Sequence, residues 1–237
     1  MWGISFNIKS TFGHFRNPYT TTLKQTYPFP PKPTIIGMIG AILGWDEETV
    51  INEIENFKVA IPFWENKGKI IEFTFIFSVG KIRGRSRVRE EFRPERFELL
   101  LYPEFELLIL NDSQDLIREI ELRIKEKRFE FPLFMGKNEF LISQIEITKR
   151  SSEIEICEIA TPSGIVFKEG NKIPGFSSLS DKPKPAQVFI GVPKSLKLVG
   201  KERKQKEVCI ALATKEPIKL KEPLYGVKLN GAEYTII

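Results

Sequence analysis

Apolar residues at every second position recur along most of this chain, and three stretches break that period with helical spacing. Trp2, Ile4, Phe6 and Ile8 alternate with small or polar residues from the outset, which predicts a first strand. Ile71, Phe73, Phe75, Phe77 and Val79 repeat the pattern and predict a strand with one buried face. Further strands are expected over residues 58–64, 97–102, 105–110, 140–147, 154–161, 165–168, 187–192 and 208–214. The helical stretches are residues 34–44, 46–57 and 114–127. Asp46 can cap the second, and Asn111, Asp112 or Ser113 the third, whose apolar face is Leu116, Ile117, Ile120 and Ile124. Strands mixed with a few helices predict an α+β fold. Residues 1–150 suggest a split β-α-β unit, ferredoxin-like or RRM-like. Residues 151–237 suggest a β-rich C-terminal extension or reduced second domain, with a Pro-, Ser- and Lys-rich loop at 171–185.

Composition narrows the function classes. A single histidine rules out a zinc site of two His and two Cys. The four Asp do not cluster, as a two-metal nuclease would need, and no phosphate-binding glycine loop precedes Lys137. No catalytic residue, metal or cofactor is therefore assigned. Cys157 and Cys209 lie far apart in apolar runs, which fits a reduced, cytoplasmic chain. No apolar run is long enough for a membrane helix. The net charge of +5 permits an anionic partner, and its distribution says more. Residues 81–93 hold six basic and two acidic side chains, and residues 194–206 hold six and one. The second run lacks strand alternation and reads as a solvated loop. In the first, Lys81, Arg83, Arg85, Arg87 and Arg89 would share one face of a strand, a self-repelling stripe that an RNA backbone would offset. Nearby Glu90, Glu91, Glu95 and Glu98 offer the other way of neutralising it.

The loop over residues 10–33 carries five prolines and the aromatics Phe12, Phe15, Tyr19, Tyr27 and Phe29, so it is expected to be ordered. It holds His14, as an RNA contact or a structural imidazole, and it feeds the first helix. Gly37, Gly40, Ala41 and Gly44 fall on one face of that helix, where each interior glycine costs about 1 kcal/mol against alanine. Such a face admits close approach, either of the protein's own sheet or of a ribose-phosphate chain. The helix start, next to Lys32, can take a phosphate.

Three stretches together resemble the Cas-five family of CRISPR-associated RAMP proteins, subunits of type I interference complexes. They are His14-Phe15-Arg16-Asn17-Pro18-Tyr19 running on through Tyr27-Pro28-Phe29-Pro30-Pro31-Lys32-Pro33 to Gly44, the basic segment from Lys81, and Phe131-Pro132-Leu133-Phe134-Met135-Gly136-Lys137. The resemblance implies an RRM-like RAMP domain with a protruding β-hairpin thumb near residues 80–100. It implies an RNA-binding subunit that holds the 5′ handle of the guide RNA (crRNA). Its partners would be the large subunit of the complex, called Cascade, and a backbone subunit of the Cas-seven family. By position, it places His14, Arg16, Lys24 and Tyr27 in an RNA-facing loop, Lys81 to Arg89 at or near the thumb, and Gly136 and Lys137 at a later turn. One branch of the family cleaves precursor RNA without metal through a Tyr, Lys and His set. That alternative would rest here on His14 or Tyr27, and no Lys-His pair is adjacent in the sequence.

Overall fold

The computed structural model describes residues 1–81, 88–170, 172–179, 186–200 and 202–237, with the side chains of residues 77–81 and 88–91 outside the description. It is a mixed α+β structure, mostly strand, with three helices among the described residues. The longer strands are β1 (Trp2–Lys9), β2 (Lys58–Glu65), β3 (Lys69–Lys81), β4 (Val88–Leu101), β5 (Glu104–Asn111), β6 (Gln144–Glu153), β7 (Ile156–Ile159), β8 (Ile165–Glu169), β9 (Gln187–Val199), β10 (Glu202–Ala213), β11 (Leu224–Leu229) and β12 (Ala232–Thr235). The helices are α1 (Lys32–Leu43), α2 (Glu47–Glu53) and α3 (Gln114–Glu126).

Seven strands form one sheet in the order β9-β10-β8-β2-β5-β1-β6, every neighbour antiparallel. Alternation in β1 sets what each face does. Ile4, Phe6 and Ile8 are buried with Ile35 and Ile39 of α1 and Ile117, Ile120 and Ile124 of α3. The opposite face, with Ala60, Leu108 and Leu110, is covered by Val227 and Leu229 of a small sheet ordered β7-β11-β12. Each fully buried side chain of this size stabilises the fold by about 1.5–3 kcal/mol over its exposed state. The sheet runs unbroken past residue 150, because β8, β9 and β10 pair onto the edge that β2 presents.

The helix ends follow local chemistry. α1 starts at Lys32 rather than Thr34, since Pro33 fits the first turn, where no backbone N–H is required. It ends at Gly44 in the left-handed conformation. Asp46 accepts the Thr49 N–H at 2.8 Å and caps α2, which is shorter than expected. Ser113 caps α3.

Two expectations are corrected. Ile71, Phe73 and Phe75 of the alternating run do not bury a face: β3 and β4 form a long hairpin, with Phe12 and Gly13 paired at its base, and Phe73, Phe75 and Phe92 are 69%, 70% and 71% exposed. Alternation marks an apolar face, and here no described element lies over it. The basic run 194–206 is not a loop but the β9–β10 hairpin. Three of its cations are held by carboxylates: Arg203 by Glu47, Lys206 by Glu55, and Lys194 by both Glu169 and Glu207. Arg83, Arg85 and Arg87 lie outside the described residues, as does the side chain of Arg89, whose backbone pairs with Gly80 in the β3–β4 hairpin.

Candidate nucleic-acid interface

Five segments far apart in sequence, the last of them Pro193 and Leu196 of β9, converge on a cleft of about 330 Å³. Its walls include His14 and Arg16 from the loop after β1, Thr34 from the start of α1, Phe97 from β4, and Gly136 and Lys137 from the turn after α3. Backbone hydrogen bonds fix the convergence. The His14 N–H donates to the Met135 carbonyl at 3.0 Å, and Met135 N–H to the Phe140 carbonyl at 2.7 Å. Lys24 N–H donates to the Arg96 carbonyl at 2.8 Å, and Glu98 N–H to that of Lys24 at 3.0 Å, zipping the proline-rich loop along β4. Gly136 makes the closest approach possible: its φ is +91°, and a Cβ there would sit 2.0 Å from the His14 carbonyl oxygen.

His14 is 3% exposed, and its Nδ1 lies 2.8 Å from the Glu98 carbonyl. A carbonyl only accepts, so Nδ1 carries the proton and Nε2 presents a bare lone pair. That nitrogen is buried without a hydrogen-bond partner among the described residues. Leaving a buried acceptor unmet costs about 1–3 kcal/mol. Burial pushes the His14 pKa down; the hydrogen bond to Glu98 opposes this, and the nearby Lys137 and Arg16 cations add to it. The imidazole is therefore neutral at neutral pH.

Phe97 organises the cations. The Lys137 ammonium lies 4.0 Å from its ring centroid and the Lys24 ammonium 4.8 Å, while the His14 ring meets it edge-on at 5.3 Å. Lys24 is also paired with Glu95 at 2.5 Å. Among the described residues, Lys137 has carboxylates only at 3.8 Å (Glu139) and 3.9 Å (Glu72). Arg16 is exposed and has no ion-pair partner among the described residues. The structure thus brings His14, Arg16 and Lys137 together, with Lys24 just behind Phe97. Tyr27 and Lys32 go elsewhere. Tyr27 is buried, its hydroxyl donates to the Gly191 carbonyl at 3.3 Å, and burial raises its pKa well above the usual phenol range. Lys32 is 2% exposed, with its amine pKa lowered to about 8 by burial and by Lys58 and Lys194. Phe97 is the contributor that sequence reading passed over, because a phenylalanine in a strand looks like any core residue.

The cleft opens into a groove along α1 that runs past Gly37 and Ala41 to Arg203 on β10. The glycines divide between the two roles left open above. A Cβ on Gly37 would meet nothing within 4 Å, whereas one on Gly40 would strike Val50 at 2.4 Å. Gly40 serves internal packing, and Gly37 leaves the groove floor bare. Among the described residues, no cluster of His, Cys, Asp and Glu could hold a metal ion, and no helix is long and apolar enough to cross a membrane.

A family described as CRISPR-associated protein (Cas_Cas5) matches residues 3–176. No curated protein matches the chain. Among solved structures, one titled CRISPR RNA-guided surveillance complex is similar at 14% identity, covering 91% of each chain with a TM-score of 0.51. A CRISPR protein from Archaeoglobus fulgidus is similar at 8% identity, covering 100% of this chain and 99% of its own, also with a TM-score of 0.51. At these identities the likeness is one of fold.

Proposed function

The chain belongs to the CRISPR-associated Cas5 family, and from that premise we propose that it is a non-catalytic, RNA-binding subunit of a type I interference complex. In this reading the cleft at His14, Arg16 and Lys137 holds the 5′ handle of crRNA. The observation that carries the reading is the meeting of Arg16, without an ion-pair partner among the described residues, and a weakly paired Lys137 at the start of α1, above a groove floored by Gly37. Arg and Lys supply phosphate affinity, and an open glycine lets a sugar-phosphate chain lie close to the helix. Lys24 supports the cleft through Phe97, and Tyr27 and Lys32 support it from within the protein.

The strand order supports the ferredoxin-like, RRM-like reading. Within the large sheet, β2-β5-β1-β6 with α1 between β1 and β2 and α3 between β5 and β6 is a split β-α-β pair. The β3–β4 hairpin is inserted between β2 and β5, where it would serve as the thumb. Its exposed aromatic face fits a neighbouring backbone subunit of the Cas-seven family, with the large subunit beyond. Residues 151–237 would be the β-rich extension that lengthens the RRM-like sheet.

Cleavage of precursor RNA is the second reading, favoured by the neutral His14 lying beside Lys137. Tyr27 does not serve it as a general acid for the leaving oxygen, because its hydroxyl is buried and committed to Gly191.

Arg16→Glu with Lys137→Glu is expected to weaken binding of a repeat-derived single-stranded RNA by at least about tenfold. The slope of log K against log salt should flatten by about 0.7 for each phosphate that is no longer neutralised. Unchanged affinity at physiological salt would remove the cleft from the RNA path. Changing Arg83, Arg85 and Arg87 together to Glu tests the thumb stripe in the same assay, where unchanged binding would take it out of the interface.

A further inference from the structure

We propose that the RNA path continues from the cleft along α1 to Arg203, whose guanidinium leaves Glu47 to take a second backbone phosphate. This rests on the RNA-binding reading and extends it, since it adds a phosphate site on β10 and a carboxylate that competes for it.

The groove is built from three elements. Its floor is Pro33, Thr34, Gly37 and Ala41, on one face of α1. The floor is open at its middle, because a Cβ on Gly37 would meet nothing within 4 Å. One wall is Pro132 and Phe134. That wall is tied to the helix by the Phe131 N–H, which donates to the Ala41 carbonyl at 3.0 Å. The other wall is Leu196 of β9 and Arg203 of β10. Pro33, Thr34, Gly136 and Leu196 line the cleft as well, so cleft and groove are continuous.

Cations stand at both ends. Arg16 and Lys137 face the Thr34 end, and Arg203 stands at the Ala41 end. Thr34 to Ala41 is about 10 Å of helix. That distance takes about three nucleotides of a stacked strand at roughly 3.4 Å each, and fewer of an extended one. The walls alone would suit an apolar peptide. Cations at both ends select a polyanion instead, and the experiment separates the two.

Arg203 is available for exchange. Its side chain is 63% exposed, and that of Glu47, which holds it, is 45% exposed. A pair so open to water holds weakly. A phosphate offers the guanidinium fork the same two-oxygen geometry, and RNA adds the release of its counterions. Past Arg203 the groove ends at Asp46 and Glu47, whose carboxylates repel any further phosphate.

Fluorescence anisotropy with the repeat-derived single-stranded RNA reads each variant. Arg203→Gln should weaken binding about three- to fivefold and flatten the slope of log K against log salt by about 0.7. Glu47→Gln should tighten binding by a similar factor, and should have no effect once Arg203 is Gln. Glu48→Gln removes the same charge from an equally exposed neighbour, and should change affinity much less than Glu47→Gln. Gly37→Leu fills the open floor and should weaken binding at least as much as Arg203→Gln. On the unchanged protein, single uncharged methylphosphonate linkages should reveal a second sensitive position about two to three nucleotides from the first. Arg203→Gln should erase that second position alone.

Unchanged affinity of Arg203→Gln, or equal tightening by Glu47→Gln and Glu48→Gln, would overturn the proposal while leaving the RNA-binding reading standing. So would a linkage scan with one sensitive position. Native affinity of Gly37→Leu would take RNA out of the groove and leave it to a protein segment. Failure of the native protein to bind the RNA would overturn the RNA-binding reading itself, and the proposal with it. Should Gly37→Leu fail to fold, the exposed Arg203→Gln and the linkage scan decide.

Discussion

Gly136→Ala should destabilise the protein by about 3–5 kcal/mol and abolish the cleft with it. The left-handed φ of +91° already strains any side chain, and the new methyl would lie 2.0 Å from the His14 carbonyl oxygen and 2.8 Å from its carbon. Both are backbone atoms and cannot rotate aside. Retreat would break the hydrogen bond from His14 N–H to Met135, which joins the two walls of the cleft. Gly37→Ala is the control. It lies in a helix with open space around it, so alanine's better helix propensity should leave stability unchanged or raise it by up to about 1 kcal/mol. Urea unfolding of the two variants, side by side, measures the contrast. Similar stabilities would mean that the turn can slide away from the His14 loop.

Lys32→Met is expected to stabilise the protein at pH 7, on the order of 2–3 kcal/mol. The Lys32 amine is buried, and burial, with Lys58 and Lys194 close by, lowers its pKa to about 8 from 10.5. The unfolded chain holds that proton up to the ordinary lysine range, while the folded one releases it earlier. Between those limits the unfolded state binds more protons, so the stability of the native sequence rises with pH through that window. Below a pH of about 8 the cost is present in full. Methionine fills a similar volume without a charge, so the variant should lose this rise as well as gain stability at pH 7. Denaturant midpoints at pH 7 and pH 10 read both effects. A variant no more stable than the native sequence at pH 7 would show that Glu55 and Glu169 already compensate the buried charge.

Local chemistry was readable wherever it acts over a few residues. The alternation in β1, the α3 stripe, and the caps at Asp46 and Ser113 all appear in the fold much as their residue types require. The long-range half of the fold had no such signature. His14 and Lys137 were each singled out on sequence, but their meeting depends on β1 pairing with both β5 and β6. Pairing across so many residues leaves no periodic trace. Lys32 looked like a phosphate contact because it begins a helix, yet a lysine at a helix start can turn inward, and only tertiary packing decides. The basic run in the β9–β10 hairpin looked like loop because register shifts at Pro193, Ser195 and Leu196 interrupt the alternation that would have revealed its strands. Phe73 and Phe75 erred in the other direction: the pattern was right, and the covering layer was missing.

The position of β1 between β5 and β6 also sets a timetable for making the protein. Trp2 pairs with Asn111 on one side and Glu153 on the other, so this strand is made well before either of its partners. At synthesis speeds of roughly 5–20 residues per second, β1 waits about 5–20 s for its first partner. During that interval a strand with Phe6 and Ile8 on one face and two open edges is a template for pairing with the wrong chain. The yield of this protein in a cell should then depend on how well the nascent chain is shielded, more than on the stability the finished sheet attains.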